Sequence, residues 1–388
     1  MAESITLVGL MLQALKQVPV QDIFNQDPYE SRRTALKGER LLRVLTVHQL
    51  IKSPYLRGVI TVIDEHRPLQ AAVGGPVARN TLSNALAHYP VECMMDAWLR
   101  IKERLGAGVE QLGKKFARIA LIDASLLKLS LAAYAWAEYR QMSGAAKMHV
   151  VLEWSRRIPA QLVVTPGKVH EANPAVPVRW EAGWTYVQDR GYVSFRRLQQ
   201  ILTAHAHFVV RLKRGLDWTI VARRPVPADR QRGDIRLLSD WTVRLAGWPE
   251  VELRIVSYRL PDGRLVRVLT DRFELSAASV AQVYKERWKI ENWWRWIKAL
   301  LKIKRPLGET ANALQLQLLG AFVVDLLWRV FKALGHFPKS LYEFVTRYQE
   351  LSLVRVAAVP PGAFRRALEA ILEHLNRLHG LSQPLLSP

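Results

Sequence analysis

Cysteine is almost missing from this chain: Cys93 is the only one in 388 residues. A lone thiol closes no internal disulfide and builds no cysteine-rich zinc site, which fits a reducing cytoplasm. Acids are scarce beside bases, with 34 Asp and Glu against 56 Lys and Arg. The formal net charge of +22 and a pI of 10.3 favour a polyanionic partner, either nucleic acid or an acidic membrane surface. Long hydrophobic runs are lacking too. The most apolar window, Leu318 to Leu327, is short, contains Asp325 and reads as a buried helix. No spanning segment is expected, and the charge is dispersed through folded-looking sequence rather than gathered in a tail, so nucleic acid is the better partner. The N-terminus carries Glu3 and no basic stretch, so no signal peptide is expected. Internal repeats and low-complexity tracts are absent as well. With 49% apolar residues the chain can bury two or three domain cores.

What is present falls into three regions. Residues 1–112 carry apolar residues at helical spacing, from Ile5 to Leu15 and again at Leu41, Leu42, Val44, Leu45, His48 and Ile51. Gly74-Gly75-Pro76 interrupts them. The short helix expected over Val77 to Leu86 could be the second helix of a helix-turn-helix, with Arg79, Asn80, Ser83 and Asn84 towards DNA, or one arm of an ordinary helical hairpin. Residues 113–305 form a second domain. Strands are predicted at 118–123, 148–154, 161–166, 184–189 and 207–212, with a helix at 194–206, which implies a mixed sheet carrying helices. From about 215 to 272 the pattern stays β-like but polar, ending in a hairpin around Pro261-Asp262-Gly263. Ser276 should cap one long helix running to about Lys304, before Arg305-Pro306 stops it. Residues 306–388 read as helical, with a hinge at Pro360-Pro361-Gly362 and an amphipathic end from Ala363 to Leu378.

The long helix holds the most informative residues. At about 100° per residue, Arg287 falls about 300° from Tyr284, Glu291 about 340° and Lys298 about 320°. One face therefore carries a phenol, a guanidinium, a carboxylate and an ammonium, while Glu286 points away. A plain i,i+4 ion pair between Arg287 and Glu291 on a solvated face explains part of this. Two further acids, Asp123 and Asp189, each end a predicted apolar strand. Either alone reads as a turn former. Together, at the carboxyl ends of strands in an open sheet, they would join Glu291 in a three-carboxylate cluster. Such oxygens suit Mg²⁺ or Mn²⁺, and two such ions could activate a hydroxyl and stabilise the departing oxygen at phosphorus. Arg190, Arg287 and Lys298 supply nearby cations.

The spacing Tyr284-x2-Arg287-x3-Glu291-x6-Lys298 resembles the Tyr-Arg-Glu-Lys signature of DDE transposases of the insertion-sequence-four family. Leu121-Ile122-Asp123-Ala124-Ser125 resembles that family's first acidic motif and Asp189-Arg190-Gly191-Tyr192 its second. The resemblance covers roughly 118 to 305. It implies an α/β, ribonuclease-H-like core in which Asp123, Asp189 and Glu291 bind two divalent ions, with a β-rich insertion before the Glu-bearing helix. The 102 positions from Asp189 to Glu291 (291 − 189) already require such an insertion. It also implies that Tyr284 and Arg287 grip the phosphate near the cleaved end and that Lys298 makes another DNA contact. In relatives the insertion handles a hairpin intermediate, with an aromatic side chain accepting a flipped base. Leu265 to Asp271 contains no Trp, which leaves Trp241 and Trp248 as candidates for that role or as core aromatics. Trp288, Trp293, Trp294 and Trp296 fan around their helix and read mostly as packing residues, while His149, His170 and Lys147 lie near the sheet.

The resulting expectation is a bacterial, cytoplasmic, nucleoid-associated transposase. It would bind terminal inverted repeats, cleave at the element's ends and join 3′-hydroxyls to target DNA. Joining two ends requires a homodimer in a synaptic complex, for which the helices at 311–335 and 363–378 offer a surface if they do not pack onto the core. A DNA-binding protein without catalysis and a metal-dependent nuclease of the same fold remain open.

Overall fold

The computed structural model describes residues 7–349 apart from 27–29, 31–35, 52–54, 108, 110–117, 141–142, 172, 174–175, 214, 228, 230, 302, 304 and 335–339. The expected hinge at Pro360-Pro361-Gly362 and the helix from Ala363 to Leu378 lie outside the described residues. The chain divides into two compact units: Met1–Glu110 with Ala132–Trp136 and Trp296–Pro388, and Gln111–Leu131 with Ala137–Arg295.

The first unit is helical. Its described helices are Leu7–Lys16, Gln21–Asn25, Gly38–Leu50, Leu56–Glu65, Arg67–Ala72, Arg79–His88, Val91–Gly106, Ala311–Leu334 and Leu341–Gln349. The 311–334 helix packs against those at 38–50, 79–88 and 91–106. A Cβ added at Gly320 would stand 2.7 Å from Leu45 Cβ, so only glycine lets these two helices approach as they do. The apolar window at 318–327 proves to be the middle of this 24-residue helix. By length and composition it could cross a membrane, but 89% of its apolar stretch is buried inside the fold. Asp325 within it is bonded by Trp296 Nε1 at 2.6 Å and by Arg329. Of the two fates the sequence left open for this helix, it takes the core.

The second unit is one mixed sheet. The strands are β1 Ile119–Leu129, β2 Glu138–Arg140, β3 Ser143–Glu153, β4 Ile158–Pro166, β5 Thr185–Gln188, β6 His207–Arg211, β7 Trp218–Arg223, β8 Gln231–Arg232, β9 Ile235–Leu245, β10 Trp248–Arg259 and β11 Leu265–Thr270. Their order is β2-β3-β1-β5-β6-β11-β10-β9-β7, with β4 beside β3 and β8 beside β9. The series β4-β3-β1 is antiparallel, and β5 and β6 then run parallel to β1. This is the ribonuclease-H-like arrangement. The helix Phe195–Thr203 makes the parallel crossover from β5 to β6, its first turn capped by Ser194, which accepts from the Arg197 amide. β5 is buried at every residue, as an internal parallel strand covered on both faces must be. Ile122, Tyr186, Leu198, Phe208, Val210, Ile255 and Leu269 belong to its core.

The β-rich segment adds strands to this same sheet, joining at β11 against β6. Its closing hairpin turns at Gly263, where φ is 80°. Ser276 caps the next helix as expected, accepting from the Ser279 amide. Two expectations change. β1 does not end at Asp123; that residue is fifth in an eleven-residue strand, because pairing with β3 continues to Leu129. The long helix is two helices, Ala277–Lys285 and Trp288–Leu300. Between them the Arg287 amide donates to the Tyr284 carbonyl and the Lys289 amide to that of Glu286, three-residue bonds that tighten and turn the backbone.

Candidate active site

The sheet register sets the first two acids side by side. The last parallel rung pairs Ile122 of β1 with Gln188 of β5. Asp123 and Asp189 are the next residues on each strand. β5 stops there, because Asp189 opens the short 3₁₀ turn Arg190–Tyr192, whose Tyr192 amide donates to the Asp189 carbonyl. β1 continues, so Asp123 sits where a central strand loses one neighbour. The expected ending of both strands in an acid therefore holds for Asp189 and is replaced, for Asp123, by the end of its partner.

The third acid arrives from the broken helix. Tyr284, in the last turn of the first half, donates its hydroxyl to Asp189 Oδ1 at 3.1 Å. Arg287 lies at the break and donates Nη2 to Glu291 Oε1 at 3.0 Å. The i,i+4 ion pair is thus formed, but Arg287 is only 8% exposed, so it is not a solvated surface pair. Burial works against the Arg287 charge; Tyr284, Asp189, Asp123 and Glu291 outweigh it and raise the affinity of the guanidinium for its proton. The Tyr284 phenol is pushed upward by burial. Burial likewise pushes the Asp123 carboxyl up to about 7, against the pull of Arg287 and with added push from Glu291 and Asp189. One guanidinium therefore stands among three carboxylates and does not neutralise them all.

Among the described residues no three acids, histidines or cysteines are gathered closely enough to cage an ion, and Glu291 is bonded to Arg287. The donor set still fits a hard divalent cation. Its groups are carboxylate oxygens, the hard ligands such an ion prefers, and Asp123, held up mainly by burial, also feels the charges of Glu291 and Asp189.

Other expected residues separate by position. Arg190 is exposed on the 3₁₀ turn. Lys298 lies in the last turn of the Trp288–Leu300 helix. Glu286 points elsewhere and accepts from Gln282. Arg79, Asn80, Ser83 and Asn84 line the exposed face of the Arg79–His88 helix, opposite buried Leu82, Ala85 and Leu86. The turn before it is held by Arg40, which donates to the carbonyls of Val73 and Pro76 at 3.1 and 2.6 Å. Gly74 and Gly75 in that turn have φ of 86° and 110°, values other residues rarely adopt. Trp248 is buried against Phe195, and Trp241 packs on the same core, so both are core aromatics. Trp293 and Trp294 are buried, whereas Trp288 is 53% exposed.

Sequence reasoning missed Arg211 and Tyr258. Arg211 ends β6 and its charge acts on Tyr284 and Tyr258, the latter reaching in from β10 of the added strands. A basic residue closing an apolar strand beside β5 was the available signal. His149 and Lys147 prove to be buried behind the site rather than in it. Lys147 pairs with Glu171 at 2.9 Å, and burial pushes the His149 imidazole down to about 4. His170 is exposed.

Known proteins resemble this chain across the site. Residues 114–326, more than half of the chain, match the model of the transposase DDE domain. A protein of Sinorhizobium fredii named as transposase y4zB is 30% identical over 267 residues, covering 68% of this chain and 74% of that protein. A Geobacillus stearothermophilus protein named as the transposase for insertion sequence element IS5377 is 28% identical over 54% of this chain and 56% of its own length. A Synechocystis protein named as the transposase for insertion sequence element IS4SA is 24% identical over 45% and 50%. With the domain match enclosing all three acids and the first relative aligned along most of its length, this protein belongs to the DDE transposases of insertion sequences, metal-dependent enzymes that act on DNA.

Proposed function

We propose that this transposase binds the terminal inverted repeats of its element, cleaves at the ends and joins the 3′-hydroxyls to target DNA by in-line attack at phosphorus. The observation that carries the reading is the adjacency of Asp123 and Asp189 one residue past the last β1–β5 rung, with Tyr284, Arg287 and Glu291 closing over them. Asp123, Asp189 and Glu291 are the residues that hold divalent metal, Mg²⁺ or Mn²⁺, two ions per site. When bound, the ions lower the proton affinity of the attacking water or hydroxyl and offset the charge developing at phosphorus. Tyr284 orients Asp189 through its hydroxyl. Arg287 holds Glu291 and, with Arg211, gives a backbone phosphate a positive wall. Arg190 and Lys298 add phosphate contacts. The exposed Arg79 and Asn80 face contacts the inverted repeat.

The discriminating experiment supplies a labelled, pre-nicked end, a plasmid target and Mg²⁺. A joined product is expected, and excess chelator should remove it. Cleavage of an intact end without joining would make the protein a nuclease, and binding with neither reaction would leave a DNA-binding protein. Ala at Arg79 and Asn80 together should weaken binding to the inverted repeat by about 10-fold or more, with little change on unrelated DNA. Equal losses on both DNAs would remove that helix from sequence reading. At +22 net charge, free protomers repel, so a monomer or weak dimer is expected without DNA and a two-protomer, two-end complex with it. Light scattering that finds one protomer per end while joining proceeds would exclude the paired assembly.

A further inference from the structure

Behind the turn that carries Asp189 lies a cavity of about 10 Å³, at the lower limit of room for one water molecule. Its lining includes His149 from β3, Tyr192 from the 3₁₀ turn and Arg197 from the Phe195–Thr203 helix, amid apolar groups such as Ile122, Val151 and Leu162. The three polar residues are nearly inaccessible, at 4%, 2% and 2% exposure. Each leaves one polar atom without a protein partner: His149 Nδ1, the Tyr192 hydroxyl and Arg197 Nε. Buried polar atoms are rarely left so, and three residues that each carry one around a single small cavity point to a shared partner.

The hydrogen-bonding roles are complementary. The Thr165 hydroxyl lies 3.0 Å from His149 Nε2 and 3.3 Å from the Pro166 carbonyl. With the Thr165 proton on that carbonyl, its oxygen accepts from His149 Nε2–H, and in this tautomer Nδ1 keeps a lone pair. Arg197 Nε can only donate, and the Tyr192 hydroxyl does either. A molecule that donates to His149 Nδ1, accepts from Arg197 Nε and bonds the Tyr192 hydroxyl satisfies all three. That matches the usual valence of a buried water.

We propose that His149, Tyr192 and Arg197 bind one structural water and that, through it, they are positioning residues for Asp189. Arg197 is anchored independently, donating Nη1 to the Glu171 carbonyl at 2.8 Å and lying over the Tyr192 and Trp180 rings. Glu171 is held in turn by Lys147. The water extends that rigid network to Tyr192, whose amide donates to the Asp189 carbonyl. The positioning role rests on the reading of Asp189 as a metal-holding carboxylate; the water site itself does not.

A high-resolution crystal structure of the full chain should show one ordered water within hydrogen-bond distance of the three atoms. A dry cavity, or direct bonds among the side chains, would overturn the proposal. Tyr192→Phe removes only the hydroxyl. It is expected to keep the fold by circular dichroism and to raise the Mn²⁺ concentration for half-maximal binding, read by electron paramagnetic resonance, about 10-fold. His149→Phe should do the same, and the double variant should lose little more, since both remove the same water. His149→Gln retains an acceptor and should hold affinity near the parent's, which keeps the test decisive if Phe at either position unfolds. Parental Mn²⁺ binding in folded Tyr192→Phe would overturn the positioning role. If Asp189→Asn also binds Mn²⁺ like the parent while the water is present, the reading of Asp189 fails instead.

Discussion

Replacing Asp123 or Asp189 with Asn, or Glu291 with Gln, is expected to lower DNA cleavage and joining by about 10³-fold or more. Each change keeps the side chain's shape and removes one anionic oxygen pair from a site whose chemistry depends on gathered negative charge. Binding to the inverted repeat should stay near the parent value, because phosphate contacts spread over a strongly basic surface dominate affinity. Folding is not the reason for the loss. Asp123 is half-buried and its charge is opposed by its surroundings, so Asn there should melt no lower than the parent. Glu291→Gln keeps an acceptor for the buried Arg287, at the cost of one half-buried charge pair. Gel-based cleavage with labelled ends, beside a binding titration and a melting curve for each variant, separates these effects. Undiminished cleavage by any one of the three would remove that residue from the metal-holding set.

The parts of this site that the sequence discloses are those set by short-range spacing. Tyr284, Arg287 and Glu291 are three and four residues apart, so any locally helical path brings them to one side. Asp189 follows the short strand Thr185–Gln188, buried at every position, and its role as a strand terminus is visible in the Arg-Gly that follows. The extent of β1 past Asp123 was hidden because it depends on pairing with β3, and pairing partners have no local signature. The break at Glu286-Arg287 was hidden for a related reason. No Gly or Pro marks it, and the turn coincides with tertiary demands: the Tyr284 hydroxyl reaching Asp189 and the Arg287 guanidinium entering the carboxylate cluster. Nothing local marks Glu171 or Arg197; only the fold joins them to Lys147, through an ion pair and a bond to the Glu171 carbonyl.

The same limit conceals Arg254, which ties the added strands to the chain that follows them. Arg254 of β10 is 1% exposed, and its guanidinium forks onto Asp240 of β9, donating Nε to Oδ1 at 2.8 Å and Nη2 to Oδ2 at 2.7 Å. Its remaining nitrogen donates to the carbonyls of Arg272 and Leu275 at 2.8 and 2.6 Å. Leu275 immediately precedes Ser276, the cap of the Ala277–Lys285 helix, which carries Tyr284 in its last turn. One side chain thus couples the added strands to the start of the Ala277–Lys285 helix. Arg254→Ala leaves Asp240 buried with only Arg224, 3.6 Å away, as an ionic partner, and leaves two carbonyls without their donor. Breaking a buried pair from one side costs about 3–5 kcal/mol. The melting temperature should fall by on the order of 10 °C. Asp240→Leu in the same protein should recover much of that loss, because the stranded charge is then gone and a large coupling energy appears in the double-mutant cycle. Cleavage is expected to decline further than binding, since the helix start positions Tyr284 against Asp189 while the cations proposed to meet DNA are untouched. Urea denaturation of the four proteins measures the cycle. An Arg254→Ala protein within about 1 kcal/mol of the parent would mean that water or a neighbouring cation takes over the Asp240 charge, and that the added strands are held by their backbone ladder alone.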